Sequence, residues 1–208
     1  MSDFRYYRPD NFPPIVKNLM IINVLVFVAQ MIFDKQYNLT MRLAMWPVDS
    51  PFFRPYQIVT HMFSHGSIGH IFFNMFSLWM FGKILENVWG GKRFLLFYLI
   101  CGIGAAALHL AVEYFMGGIA PAVGASGAVM GVLVAFAYLF PNTELFILFI
   151  PFPIKAKWAA IGYVAIDLFS GVASFSGDNI AHFAHLGGAL TGFILVLVWN
   201  KGNRRKFY

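Results

Sequence analysis

Apolar stretches too long and too uncharged for a soluble core set the fold class of this chain. Six can be marked off, at residues 15–33, 69–87, 94–116, 122–140, 157–173 and 180–200. A bilayer core about 30 Å thick is crossed by roughly 20 apolar residues in a helix. With 59% hydrophobic and 12% charged residues, there are too few charges to cover a soluble globule. The expectation is an all-α integral membrane protein, a six-transmembrane-helix bundle forming a single domain over 1–208, with short tails at 1–14 and 201–208. The first stretch does not read as a secretory signal, because Met31-Ile32-Phe33-Asp34-Lys35 provides no small-x-small cleavage site. The single cysteine, Cys101, excludes an internal disulfide and reads as a small packing residue.

The net charge of +6 invites a nucleic-acid reading, which the distribution of the charges opposes. Of the 15 basic residues, 12 fall on one side of a chain that crosses six times, among them Arg5, Arg8, Lys17, Lys92, Arg93, Lys155, Lys157 and the tail Arg204, Arg205 and Lys206. Basic residues concentrate on the cytoplasmic side, so both termini are expected inside, N-in and C-in. The basic tail then orients the chain and meets anionic lipid of the bilayer, with no nucleic acid as partner. The long connection 34–68, with Trp46-Pro47 and Pro51-Phe52-Phe53, is expected to rest in the outer interface. The apolar loop 141–156 is expected to dip into the inner leaflet or to lengthen a helix. The loop 174–179 reads as a mobile flap.

With this orientation, spans two, four and six begin on the outer side. His70 and Asn74 lie at the start of span two, Ser126 at the start of span four and His185 at the start of span six. All four fall within about two helical turns of an outer end, roughly 10 Å deep at 1.5 Å per residue. Gly127-x-x-x-Gly131 follows the serine and Gly188-x-x-x-Gly192 follows the histidine. Small residues at this spacing let membrane helices approach closely, so spans four and six are expected to pack with Ser126 within reach of the imidazole. His70 and Asn74 share a helix face and can donate to a developing oxyanion, as can the backbone N–H of Ser126 at a helix start. His61, Ser64, His65 and Ser67 are expected to keep the approach wet. No carboxylate is evident behind His185, so the reading is a Ser-His dyad. Asp167, an intramembrane carboxylate, reads as a structural hydrogen-bonding group, and His182 as a solvating neighbour.

In Gly124-Ala125-Ser126-Gly127, His70-x-x-x-Asn74 and Ala184-His185-x-x-Gly188-x-x-x-Gly192, taken in order across six spans, the chain resembles the rhomboid family of intramembrane serine proteases. The resemblance implies Ser126 as nucleophile, His185 as general base, and His70 with Asn74 stabilising the oxyanion. It also implies a structural role for Glu86, and Gly124, Gly127, Gly131, Gly188 and Gly192 as packing positions. It implies no metal or cofactor, and transmembrane segments of other membrane proteins as substrates, cut near the outer face of the bilayer. Met130 stands where many members carry an aromatic residue, and Tyr56-Gln57 where they carry a Trp-Arg pair.

Two other classes compete. A metal-dependent membrane hydrolase or metal transporter would use His61, His65, His70, His182 and His185, with ligand-like spacing in His61/His65 and His182/His185, but a carboxylate cluster or a His-Glu-x-x-His motif is missing. A catalytically dead relative would have lost Ser126 or His185. The compact chain is expected in a bacterial plasma membrane, with its site opening to the extracytoplasmic side.

Overall fold

The apolar stretches become helices because lipid cannot satisfy backbone N–H and C=O groups, which must therefore pair within the segment. The computed structural model describes residues 9–146, 151–173 and 182–203. Arg5, Arg8, the loop 174–179 and the basic residues 204–206 lie outside the described residues. The helices are α1 (Pro14–Tyr37), α2 (Leu39–Leu43), α3 (Gln57–Thr60), α4 (Ile68–Ser77), α5 (Lys83–Trp89), α6 (Gly91–Met116), α7 (Ser126–Leu139), α8 (Ala156–Ala173) and α9 (His182–Asn203). A π-helical stretch, Leu78–Gly82, joins α4 to α5 into one continuous element. Five elements are long and apolar enough to cross a membrane: Pro14–Tyr37, Ile68–Trp89, Gly91–Met116, Ala156–Ala173 and His182–Asn200. The apolar helix α7 has only 14 residues.

Span four departs from expectation at its start. Residues 122–125 precede the helix instead of belonging to it. Ala122 pairs with Met45 through two backbone hydrogen bonds of 2.9 Å, and the Gly124 N–H donates to the His61 carbonyl at 2.9 Å. Gly124 has φ +123°, a conformation that a side chain would strain. The connection 34–68 thus clamps the entry to α7. The loop 141–156 does not lengthen a helix: Glu144–Leu145 (β1) pairs antiparallel with Ile154–Lys155 (β2), and residues 147–150 between them lie outside the described residues.

The centre of the bundle is α9, packed most extensively on α6 and α7. Glycines permit this approach. A Cβ at Gly188 would run into the Gly127 backbone, and one at Gly192 would lie 2.6 Å from Gly131 Cα. Gly131 itself faces Cys101 of α6. The second face of the core joins α1, the π-helical stretch, α5 and α6 through Val16, Leu19, Leu78, Leu85, Phe94, Phe97 and Tyr98. The outer surface is the reverse of a soluble protein's: Leu25, Ile32, Phe72, Phe73, Phe169 and Val172 all point outward, as a lipid-facing surface requires.

Buried polar groups lock the periphery. Glu86 accepts from the backbone N–H of Ile15 at 2.9 Å and of Val16 at 2.8 Å. An anionic carboxylate at the first turn of α1 satisfies two orphan donors and opposes the positive end of the helix dipole. Near the same ends, Lys83 lies 3.7 Å over the Trp79 ring and Arg93 4.5 Å over Trp199, contacts typical of basic and aromatic residues at a membrane interface.

Candidate active site

Three helix starts converge. Ser126 opens α7 directly after the clamped segment 122–125, and the α7–α9 glycine contact carries His185 to it. The Ser126 Oγ lies 2.7 Å from His185 Nε2. A hydroxyl bonded to an imidazole nitrogen is the arrangement of an activated serine.

The other ring nitrogen of His185 faces a carboxylate, which the dyad expectation lacked. Asp167 on α8 receives His185 Nδ1 at 3.2 Å on Oδ1 and 3.1 Å on Oδ2, and His182 Nδ1 at 2.7 Å on Oδ1. An ionised carboxylate only accepts, so both Nδ1 atoms carry protons and His185 Nε2 is left as the acceptor for the serine hydroxyl. Asp167 is 4% exposed although α8 is otherwise lightly buried. The signal in the sequence is the carboxylate itself, since charge inside a membrane is expensive and rarely idle. Spacing along the chain does not reveal which residue of α9 it meets.

His70, on α4, stands close to Gly124, two residues before the serine. Ser67 caps α4 by accepting from the His70 N–H at 3.1 Å. The Gly66 N–H donates to His70 Nδ1 at 3.4 Å, which leaves Nε2 as the protonated nitrogen. Nε2 lies over Gly124: a Cβ there would come within 2.7 Å of it. Gly124 therefore provides the space that His70 occupies two residues before the serine. Asn74, one turn along α4, donates one amide hydrogen to the His70 carbonyl at 3.0 Å, and its second amide hydrogen remains.

Of the four residues expected to wet the approach, His61, Ser64 and His65 are instead buried, while Ser67 is exposed. Ser64 and His65 are buried against Gln30 of α1, which donates to Ser64 Oγ at 2.9 Å and to the His65 carbonyl at 3.2 Å and accepts from the His65 N–H at 3.1 Å. His61 is held by the Gln57 carbonyl at 2.8 Å from Nδ1. The physical reason is that the connection 34–68 folds inward, with Gln30 supplying the polar partners. Among the described residues, no three His, Cys, Asp or Glu side chains are placed to hold a metal ion.

His61 and His65 precede α4 and titrate far from their usual range. Burial pushes each down from 6.5 to about 4, with neighbouring His109 and His70 respectively adding to the effect. Both are therefore neutral in the fold at pH 7. As pH falls below 6.5 the unfolded chain binds protons that the folded chain refuses, so stability is lost down to about pH 4 and then levels off. The loss is expected to be on the order of 3 kcal/mol per histidine. Thermal unfolding of the detergent-solubilised protein between pH 7.5 and 4 measures it, and a flat profile would contradict the assignment.

Comparisons with known proteins place this chain in a family. The Rhomboid domain family matches residues 53–201. The chain is 31% identical over 190 residues to the presenilin-associated rhomboid-like protein, mitochondrial, of Homo sapiens, covering 88% of this chain and 49% of that protein. It is 28% identical over 208 residues to RHOMBOID-like protein 12, mitochondrial, of Arabidopsis thaliana, covering 93% and 60% respectively. It is 33% identical over 139 residues to Rhomboid protein 1, mitochondrial, of Saccharomyces cerevisiae, covering 66% and 40%. The chain spans about half the length of the curated relatives it matches. These relatives are named as mitochondrial, which overturns the expectation of a bacterial plasma membrane with an extracytoplasmic site. A match across most of the chain to the family, and 31% identity to a relative over 88% of it, show that this chain belongs to the rhomboid family.

Proposed function

We propose that this chain is an intramembrane serine endopeptidase that cuts transmembrane segments of other membrane proteins by means of Ser126 and His185. The observation that carries the reading is the 2.7 Å contact between Ser126 Oγ and His185 Nε2, in a chain whose family implies intramembrane proteolysis. The bundle crosses six times, with α7 as the short fourth span. At 1.5 Å per residue its 14 residues cover roughly 21 Å, less than the bilayer core of about 30 Å. Ser126 then lies below the membrane surface on the face away from both termini, and cleavage falls near that face. A mitochondrial membrane is the setting that the relatives' names support.

In the reaction, Ser126 Oγ forms a bond to the scissile carbonyl carbon while its proton passes to His185 Nε2. The carbonyl oxygen takes up negative charge, and its stabilisation is assigned to the His70 ring, the second Asn74 amide hydrogen and the Ser126 N–H. The C–N bond breaks as His185 returns the proton to the leaving amine. Water then attacks the acyl-enzyme, giving a proton to His185, which passes it to Ser126 Oγ as the acid product departs. Gly124 keeps the backbone open beside His70, and Glu86 holds α1 against α5.

A fluorophosphonate probe tests nucleophilicity without knowledge of the substrate. The purified wild-type protein is expected to become labelled, and Ser126→Ala to remain unlabelled. Equal labelling of the two would remove Ser126 from the nucleophile position.

A further inference from the structure

The carboxylate of Asp167 is a buried ionisable group that the two-residue reaction leaves without a task. Helix α8 buries little against its neighbours: Ala156, Ala160 and Asp167 are its buried residues, while Tyr163, Ile166, Phe169 and Val172 face outward. An ionisable group within a membrane helix must find partners, and this one finds two imidazoles on α9. Its Oδ1 is 2.7 Å from His182 Nδ1, and both of its oxygens lie within 3.2 Å of His185 Nδ1. The side chains of the three residues are only 5%, 10% and 16% exposed, in the order Asp167, His182, His185.

We infer that Asp167 is a positioning residue that holds His185 with its proton on Nδ1 and its Nε2 turned to Ser126, and that His182 steadies the carboxylate from the other side. The inference rests on the proposed Ser126–His185 chemistry and extends it from two residues to three. A neutral imidazole has one N–H, and the hydrogen bond at one nitrogen decides which nitrogen bears it. With the carboxylate on Nδ1, Nε2 is free to take the serine proton. When it does, the imidazolium forms next to a negative charge already in place, and Asp167 itself need not be protonated. The bond between His182 and Oδ1 is the shortest of the set, and it ties the carboxylate to the same helix that bears His185. That fixes the orientation of Asp167 relative to the ring it serves, independent of how firmly the rest of α8 is seated.

The test separates positioning from folding, and from failure of the protease reading. Histidine-15N-labelled protein carrying Ser126→Ala, assigned by comparison with a His185→Gln partner, reports the tautomer of His185 by NMR. The Nδ1–H form is expected with Asp167 present and the Nε2–H form with Asp167→Asn, whose amide can donate to Nδ1. Steady-state cleavage of a model transmembrane substrate is expected to lose about 10²- to 10⁴-fold in kcat in Asp167→Asn, with KM changed less than about twofold and fluorophosphonate labelling slowed in parallel. Asp167→Glu is expected to recover part of the rate. An Nε2–H tautomer in protein that retains Asp167, or Asp167→Asn with kcat within about threefold of wild type, overturns the positioning role. The tautomer measurement requires no Asp167 variant to fold. Absence of Ser126-dependent labelling in the wild-type protein would instead sink the protease reading on which the inference rests.

Discussion

Cleavage of a transmembrane substrate in liposomes is expected to fall to background in Ser126→Ala and in His185→Ala, by about 10⁴- to 10⁶-fold in kcat. The two losses are expected to be similar, and the double variant no worse than either, because a nucleophile and its base act as one unit. Folding should survive both changes. Ser126 is the first residue of α7 and is not deeply buried, so removing its hydroxyl leaves no large cavity. His185→Ala removes one of two imidazoles on Asp167 and leaves the His182 contact in place. Wild-type rates in either variant, with intact thermal unfolding, would exclude the Ser126–His185 pair from the chemistry.

The second large effect is expected from Gly188→Ala. A single added methyl at this position would meet the Gly127 backbone, not a side chain that can turn aside. The two helices must therefore separate, and overpacking of this kind typically costs about 1–3 kcal/mol. The loss of activity should exceed the loss of stability. Gly188 lies three residues after His185, on the same face of α9, and Gly127 directly follows Ser126. Displacing one helix from the other by about 1 Å moves the base off the nucleophile, a misplacement that costs on the order of 10²-fold. Gly162→Ala on α8 is the control, since a Cβ there meets nothing within 4 Å. Thermal unfolding in detergent and cleavage rates, read side by side, decide the matter. Equal behaviour of the two variants would mean that the close approach of α7 and α9 does not hold the site.

Much of the bundle is legible in the amino-acid sequence, for a physical reason. Length and hydrophobicity dictate where helices must run in lipid, so α1, α6, α8 and α9 begin and end within a few residues of the expected spans. Small residues four apart mark where two membrane helices can touch, which brings Ser126 and His185 onto one contact. What is not legible depends on partners distant in the chain. Ala122 is extended because Met45 pairs with it, and neither residue signals the other. Ser64 and His65 turn inward because Gln30, an amide within an apolar run, supplies their hydrogen bonds. Asp167 is visible as an anomaly, but the alignment of α8 against α9 that gives it a purpose is a property of packing, which periodicity within one helix does not encode.

The brevity of α7 also bears on what surrounds its start. As a span of the proposed bundle its 14 residues fall short of a bilayer core of about 30 Å, whereas α6 with 26 exceeds it. No residue of α7 is exposed, so neighbouring helices and not lipid enclose the short span. The space between its first residue and the membrane surface is therefore bounded by protein, and a substrate segment that reaches Ser126 has to leave hydrocarbon to do so. Outside hydrocarbon its backbone groups can find partners other than its own helix, which favours unwinding next to the residues proposed to cut it.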